Sequence, residues 1–539
     1  MIKTFFQSLR ARCCFGGLLA MTGIAFIYLI FWGPLIQLQP PLAPGDMGRD
    51  LYAFWMTFRG FRPCQDFWWQ YGPAPLFYFA FWFFAAGVHL MSVRLGLGVL
   101  LFLCSLCSYR ALRPHVSRPL AFLASLAFLS LDVTYSTGHV RLRDIAYTFN
   151  HYVTFPFLLL ALYFLWKFFL TRKIRWGYAA GLAAAAVALV KINTGLATFA
   201  ALFVFLLGAG KKHIIFLLLT FGAAVFGAYG WFYRGLSFEE IDYCLTLKRI
   251  YHTQPYSFRD YFLHLIQWFI VWDRRRLIYL GAFFLLGLLA ALGLRKGENP
   301  DADRRLFGFM TGSALLMGVA NSLDYFVDGS IHRVDFWFFP VLVLLGGLWS
   351  EAAGRLFSPN MKKVLGVLFF FLLLWIPFQN LKEALAWRTP ERYLDFPSGR
   401  VYVGGPPSFP RVLNEGVRFI IEHTEPDQKI LVLPYDPLYL FLSGREQAVR
   451  ELLFMEMMPL PEKREEEIIQ ELDSKKVPLI ILSNRILSEE WGLGQFGKTF
   501  LTKLAPYLAA HYREAGSFGP WASQDYLNSH AIKVLERIS

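Results

Sequence analysis

Three aspartates, Asp46, Asp50 and Asp66, lie in the stretch 44–73, which reads PGDMGRDLYAFWMTFRGFRPCQDFWWQYGP. Around them are Trp, Phe and Tyr of the kind that settle at a membrane–water boundary. A charged group costs about 2.5–3.5 kcal/mol at mid-bilayer on insertion scales, so acids gathered at the end of an apolar span are functional candidates. The chemistry open to them is proton transfer: a positioned carboxylate that takes the proton of an attacking hydroxyl contributes about 10²- to 10⁴-fold. Asp46 follows PLAPG, whose Pro and Gly suit a rigid turn, and is the first candidate base. Asp50 is the alternative. The competing role for Asp46 is structural, as N-cap of a short interfacial helix over 49–59.

Composition says what must position these groups. The chain is 56% hydrophobic and 18% aromatic, with mean hydropathy +0.41, and its long apolar runs predict a polytopic α-helical membrane protein. The net charge of +14 sits in short clusters between apolar runs, which is an orientation signal and excludes a nucleic-acid footprint. The run 16–36 follows a basic start (Lys3, Arg10, Arg12) and is longer than a signal-peptide core, so it reads as a retained first span.

Basic clusters at 110–118, 172–175, 211–212, 295–305 and 355–363 should all be cytoplasmic. That parity holds only if the apolar segment 74–90 does not cross, so it reads as a helix along the outer interface. The spans are then 16–36, 93–109, 119–136, 152–170, 177–192, 195–209, 213–233, 277–294, 306–323, 334–350 and 363–379, about eleven crossings. The N-terminus is cytoplasmic and the C-terminus outside. The run Asp273, Arg274, Arg275, Arg276 breaks the rule in a long loop, where basic groups can meet lipid phosphates.

Residues 1–379 form the membrane part, and 380–539 turn polar, with a helix near 416–423, a strand at 429–434, an acidic helix at 462–472 and a strand at 477–483. Alternating helix and strand signals predict a soluble extracytoplasmic α/β domain. LVLPYDPLYLFLSG could hold a site, but strand, turn and helix packing is the preferred reading, and the domain is read as supporting or acceptor-recognising. Among the six cysteines, Cys104-x-x-Cys107 lies inside an apolar span and reads as helix packing. Only Cys64 and Cys244 fall in polar loops; buried free thiols are preferred over a disulfide between them.

The first loop resembles that of GT-C membrane glycosyltransferases, a class that includes protein O-mannosyltransferases and the transferases that add aminoarabinose to lipid A. The residues carrying the resemblance are Asp46, Gly48, Tyr52, Gly60, Asp66, Phe67, Gly72 and Pro73. The interfacial reading of 74–90 is also what that class shows. RLRDIAYTF is similar to the second acidic loop, with Asp144 in the acidic place; ALVKINTG supplies Lys191, and GSIHRVDFWFFP supplies His332 and Arg333. Many relatives carry His, Lys or Glu just before the Gly-Pro, where this chain has Gln70 and Tyr71, and a second acid after the first, where Met47 stands.

The resemblance implies a polyprenyl-phosphate-sugar donor and a glycan, lipid or protein hydroxyl as acceptor at the outer face of a bacterial inner membrane. Lipid phosphate is a good leaving group, so the demanding step is removal of the hydroxyl proton. Asp46, with Asp50 as alternative and Asp144 in support, would do it. Lys191, His332, Arg333 and Arg143, with Arg141 in reserve, would clamp the phosphate, although snorkelling explains any single one of them equally well. Tyr52, Asp66 and Tyr71 are assigned to the acceptor side or the loop. Direct displacement would invert the anomeric centre. The aspartates offer hard oxygen ligands for Mg²⁺ or Mn²⁺, but with no Asp-x-Asp pair and no zinc spacing no obligatory metal is expected. A transporter or flippase, the rival class, calls for ionisable groups deep in several spans and for repeat symmetry, neither of which stands out; an inactive scaffold is a third reading.

Overall fold

The structure is a computed structural model that describes residues 43–113, 149–171, 173–207, 211–252, 389–403, 408–488, 493–524 and 529–538, with 37–38 and a few isolated positions. Asp144, Arg141, Arg143, His332 and Arg333 lie outside these residues, as do the spans 16–36, 306–323 and 334–350 and most of 119–136, 277–294 and 363–379.

The chain leaves strand β1 (Gln37–Leu38) through a single π turn, Ala43–Met47, into helix α1, Gly48–Phe58. The run GRDLYAFWMTF has no interior Pro or Gly to interrupt it, and it stops at Arg59–Gly60, where Gly60 takes φ +89°, a conformation that suits Gly. Helix α2 (Pro73–Ala86) starts with Pro in the first turn, where its missing N–H costs nothing, and ends at Gly87 with φ +87°. Its 14 residues span about 21 Å, short of the roughly 30 Å hydrocarbon core. Phe77, Phe81 and Phe84 line its exposed face, and Leu76, Phe79 and Phe83 its buried one.

Helices α3 (Leu90–Leu112), α4 (Phe149–Thr171), α5 (Ile174–Val190), α6 (Ile192–Leu207) and α7 (Lys211–Phe232) fall on five of the expected spans. Among the described residues, α3 and the 214–232 part of α7 are long and apolar enough to cross a membrane. Helix α5 packs against α4, α6 and α7, and its small residues permit this: a Cβ on Gly181 would lie 2.4 Å from Thr220 Oγ1, and one on Gly195 of α6 would lie 2.2 Å from Ala188 Cα. Helix α8 (Phe238–His252) opens on a capping box, in which the Glu240 carboxylate accepts from the Ser237 N–H and the Ser237 hydroxyl accepts from the Glu240 N–H. It carries Cys244, which is disulfide-bonded to Cys64 of the first loop. The expectation of free thiols at these two positions is therefore corrected. The loops are far apart in sequence, and only folding brings their Cα atoms to 5.6 Å.

Strands β2 (Tyr393–Phe396) and β3 (Gly399–Val403) form a hairpin, and β1 pairs in parallel with β3, Gln37 opposite Tyr402. The segment just before the first loop is thus stitched to the start of the C-terminal domain. There the elements are α9 (Ser408–His423), β4 (Lys429–Leu433), α10 (Leu438–Ser443), β5 (Glu446–Gln447), α11 (Glu462–Ser474), β6 (Leu479–Ser483), α12 (Leu504–His511), β7 (Tyr512–Phe518) and β8 (Ile532–Arg537).

The sheet order is β5-β4-β6-β8-β7. Strands β5, β4 and β6 run parallel, and β8 and β7 are antiparallel. The apolar runs KILVL and LIILS are buried along nearly their whole length, as central parallel strands require. On α9, Phe409, Val412, Leu413, Val417 and Ile420 recur at helical spacing and are all buried. The expected helix at 416–423 begins earlier, at Ser408, and the antiparallel pair β7–β8 adds to the strands expected from sequence.

Candidate functional site around Asp46

The first loop and the C-terminal domain meet along 43–72 and 435–451. Gly48 is in contact with Leu438 so closely that a Cβ would lie 2.3 Å from the Leu438 nitrogen. The Tyr52 hydroxyl accepts the Gln447 backbone N–H at 2.9 Å. Arg59 pairs with Glu446 at 2.5 Å, and the Trp68 N–H donates to the Arg450 carbonyl at 2.9 Å. The Arg450 guanidinium in turn lies 4.8 Å from the ring centre of Tyr243 on α8. Three segments remote in sequence share one face.

Arg49 is central to that contact. It is 1% exposed and donates through Nε (3.0 Å) and Nη2 (2.7 Å) to Asp50 Oδ1, and through Nη1 to Asp46 Oδ1 (2.7 Å) and to the Tyr435 hydroxyl (2.9 Å). Its Cζ also stands 5.0 Å from the Tyr71 ring centre. Burial alone would lower the Arg49 pKa, but Tyr435, Asp50, Tyr71 and Asp46 outweigh it and hold the guanidinium charged. Asp50 is fully buried and serves Arg49.

Asp46 differs from Asp50 in exposure, 24% against none. Its Oδ1 accepts from both Arg49 Nη1 and the Tyr435 hydroxyl, each at 2.7 Å, and no described residue bonds its Oδ2. It is not the N-cap of α1: that position is Met47, and no side chain caps the helix. Tyr435 is buried, which pushes its phenol well above the ordinary range; the hydrogen bond to Asp46 adds to this and Arg49 opposes it. The phenol therefore stays protonated as a donor.

The remaining predicted residues are placed as follows. Asp66 is exposed and closes the 62–66 turn, its Oδ2 accepting the Arg62 N–H at 2.7 Å. Tyr52 and Tyr71 are both buried, the first bonded to the C-terminal domain and the second beside Arg49. Lys191 is buried at the C-terminal end of α5. The Gly72 N–H donates to the Val190 carbonyl at 2.9 Å, and a Cβ on Gly72 would lie 2.0 Å from the Leu189 oxygen, so the Gly-Pro of the first loop rests on the turn that carries Lys191. Among the described residues, no group of three or more His, Cys, Asp or Glu is placed to hold a metal ion.

Two contributors went unread in the sequence. Tyr435 follows β4 and Arg485 follows β6, both at the carboxyl ends of parallel strands, the usual place for sites on such sheets. Arg485 Nη1 donates to the Tyr435 carbonyl at 3.1 Å, and its guanidinium lies 5.0 Å from the Tyr435 ring centre. The motif LVLPYDPLYLFLSG does form strand, turn and helix as read, and its turn also reaches Asp46. The position of that turn at a strand end was the available signal.

No protein-family model matches the chain, and a comparison with curated protein sequences finds no match. Solved structures do match. ArnT from Cupriavidus metallidurans bound to undecaprenyl phosphate superposes with TM-score 0.56 at 13% identity, covering 96% of this chain and 98% of that one. Its apo state gives TM-score 0.55 at 12% identity, covering 97% and 98%. AglB from Archaeoglobus fulgidus, in complex with an inhibitory peptide and a dolichol-phosphate, aligns at TM-score 0.46 and 12% identity over 89% of this chain and 70% of that one. The chain shares the fold of ArnT, a GT-C membrane glycosyltransferase, along nearly its whole length. The resemblance carried by the first loop thus holds at the level of fold.

Proposed function

We propose that this protein is an integral-membrane glycosyltransferase that moves a sugar from a polyprenyl-phosphate donor to an acceptor hydroxyl at the outer face of a bacterial inner membrane. The observation that carries the reading is the state of Asp46: one carboxylate oxygen is held by two donors, and the other is left without a bond from any described residue on a partly exposed side chain. Asp50 is the poorer base because it is fully buried against Arg49. The shared fold with ArnT, whose structure holds undecaprenyl phosphate, supports a lipid-phosphate donor. The disulfide supports an oxidising compartment on the side where the first loop, α8 and the C-terminal domain meet.

In the reaction so proposed, the acceptor oxygen attacks the anomeric carbon. The bond from that carbon to the phosphate oxygen breaks, and its electron pair leaves with the lipid phosphate. The hydroxyl proton passes to Asp46 Oδ2. Lys191 at the end of α5, with His332, Arg333 and Arg143, would meet the charge developing on the phosphate. Asp144 would support the acceptor side, together with Tyr52, Asp66 and Tyr71 in the loop. Single displacement inverts the sugar. No metal is required for this scheme, although Mg²⁺ or Mn²⁺ could assist the phosphate. A membrane part over 1–379 and an outer α/β domain over 380–539 divide the work, with a cytoplasmic N-terminus and about eleven crossings.

The test is transfer by purified protein in lipid, using a panel of undecaprenyl-phosphate sugars, with product stereochemistry read by NMR. A retained anomeric configuration would refute the single displacement.

A further inference from the structure

We propose that Tyr435 is a positioning residue for the Asp46 carboxylate, so that the C-terminal domain completes the base site of the membrane part. This rests on Asp46 acting as the base. Three observations carry it. The first is direction. Arg49 has only N–H groups to give, and its Nη1 donates to the Tyr435 hydroxyl at 2.9 Å. The single phenolic proton is therefore turned to Asp46 Oδ1, at 2.7 Å. Two donors on Oδ1 fix the carboxylate plane and leave Oδ2 as the proton-accepting oxygen.

The second is fit. A Cβ on Gly45 would lie 2.9 Å from Arg485 Nη1 and 3.0 Å from the Tyr435 ring, so Tyr435 and Arg485 lie directly against the turn that presents Asp46. The third is anchorage. The Tyr435 ring lies beside Arg485, and its carbonyl accepts from Arg485 Nη1, which holds the ring in place from its own domain. The charged and titratable groups facing the pair are Arg49 and Asp50 from α1, Tyr71 from the first loop and Arg485 from the turn after β6.

The experiment uses the full chain in lipid nanodiscs with Tyr435→Phe, which keeps the ring and removes the donor. A carboxylate with one donor fewer takes up a proton more readily. The expected result is a kcat about 10-fold lower with KM for the lipid-phosphate sugar unchanged, since hydrogen bonds to charged groups are the strong ones. The acid limb of kcat/KM against pH should move upward, and labelling of Asp46 by a water-soluble carbodiimide, read by mass spectrometry, should speed up several-fold. Replacing Tyr435 with 3,5-difluorotyrosine keeps the packing and strengthens the donor, so it should move the limb and the labelling the other way; it serves if Tyr435→Phe fails to fold. Unmoved labelling in both variants overturns the proposal. The labelling needs no substrate, so it scores Tyr435 even if Asp46→Asn retains turnover, which would instead overturn Asp46 as the base.

Discussion

Arg49 donates to Asp46, Asp50 and Tyr435 at once, so its removal leaves the fully buried Asp50 carboxylate without the guanidinium that compensates it. Breaking a buried pair by deleting one partner costs about 3–5 kcal/mol. Arg49→Ala should therefore lower the thermal midpoint sharply and abolish turnover. Arg49→Lys should recover part of the stability and little of the activity, because one ammonium cannot reach two carboxylates and a phenol in the planar fork that Arg supplies. A melting curve for Arg49→Ala that matches the parent would show that the buried network does not hold this corner of the molecule.

The close approach of α1 to the start of α10 is set by Gly48, where any side chain meets the Leu438 backbone. Gly48→Ala must push the two elements apart. Overpacking of this kind costs about 1–3 kcal/mol, and the displacement moves Asp46 and Tyr435 relative to each other. Turnover should fall more than stability, and faster carbodiimide labelling of Asp46 would report the separation; unchanged turnover and labelling would mean that the contact does not set the site. At this scale the first loop was legible in the sequence. Helix α1 lies within one residue of the expected 49–59, and the apolar helix after Gly72-Pro73 has the length of an interfacial element. The C-terminal half of the site was not legible, because Tyr435 reaches Asp46 across 389 positions and nothing local to LVLPYDP marks a residue that bonds to another domain. The sequence offers the Cys64–Cys244 pairing only as the less favoured alternative for the same reason: a polar-loop cysteine carries no record of where its partner folds.

His530 is buried just before β8, its Nε2 2.8 Å from the Tyr439 hydroxyl and its ring against those of Phe409 and Tyr439. Burial, with the charge of Arg485 adding to it, pushes the imidazole down to about 3. The unfolded chain takes up this proton near its usual 6.5 and the folded chain does not, so the stability is complete above pH 6.5 and is lost as the pH falls toward 3. Glu446, Glu471 and Asp473 are held below the carboxylate range; burial raises Glu446 and Glu471, but their Lys and Arg partners outweigh it, and Tyr507 and Arg537 lower Asp473. These acids act in the same direction but at lower pH, so among the described residues with a shifted proton affinity the window from pH 6.5 to 5 belongs to His530. Stability should fall there by about 2 kcal/mol, and His530→Asn should flatten the slope in thermal melts; a wild-type slope in that variant would assign the effect elsewhere.

For the molecule as a whole, the claim is that a membrane-side turn and an outer domain jointly present one carboxylate to a lipid-borne sugar. The direct measurement is release of undecaprenyl phosphate from undecaprenyl-phosphate sugars by the protein reconstituted in liposomes, with wild type and Asp46→Asn compared at equal folded amounts. Wild type should turn over at least one sugar of the panel, and Asp46→Asn should lose about 10²- to 10⁴-fold at the same folded amount. Equal turnover by the two proteins would contradict it.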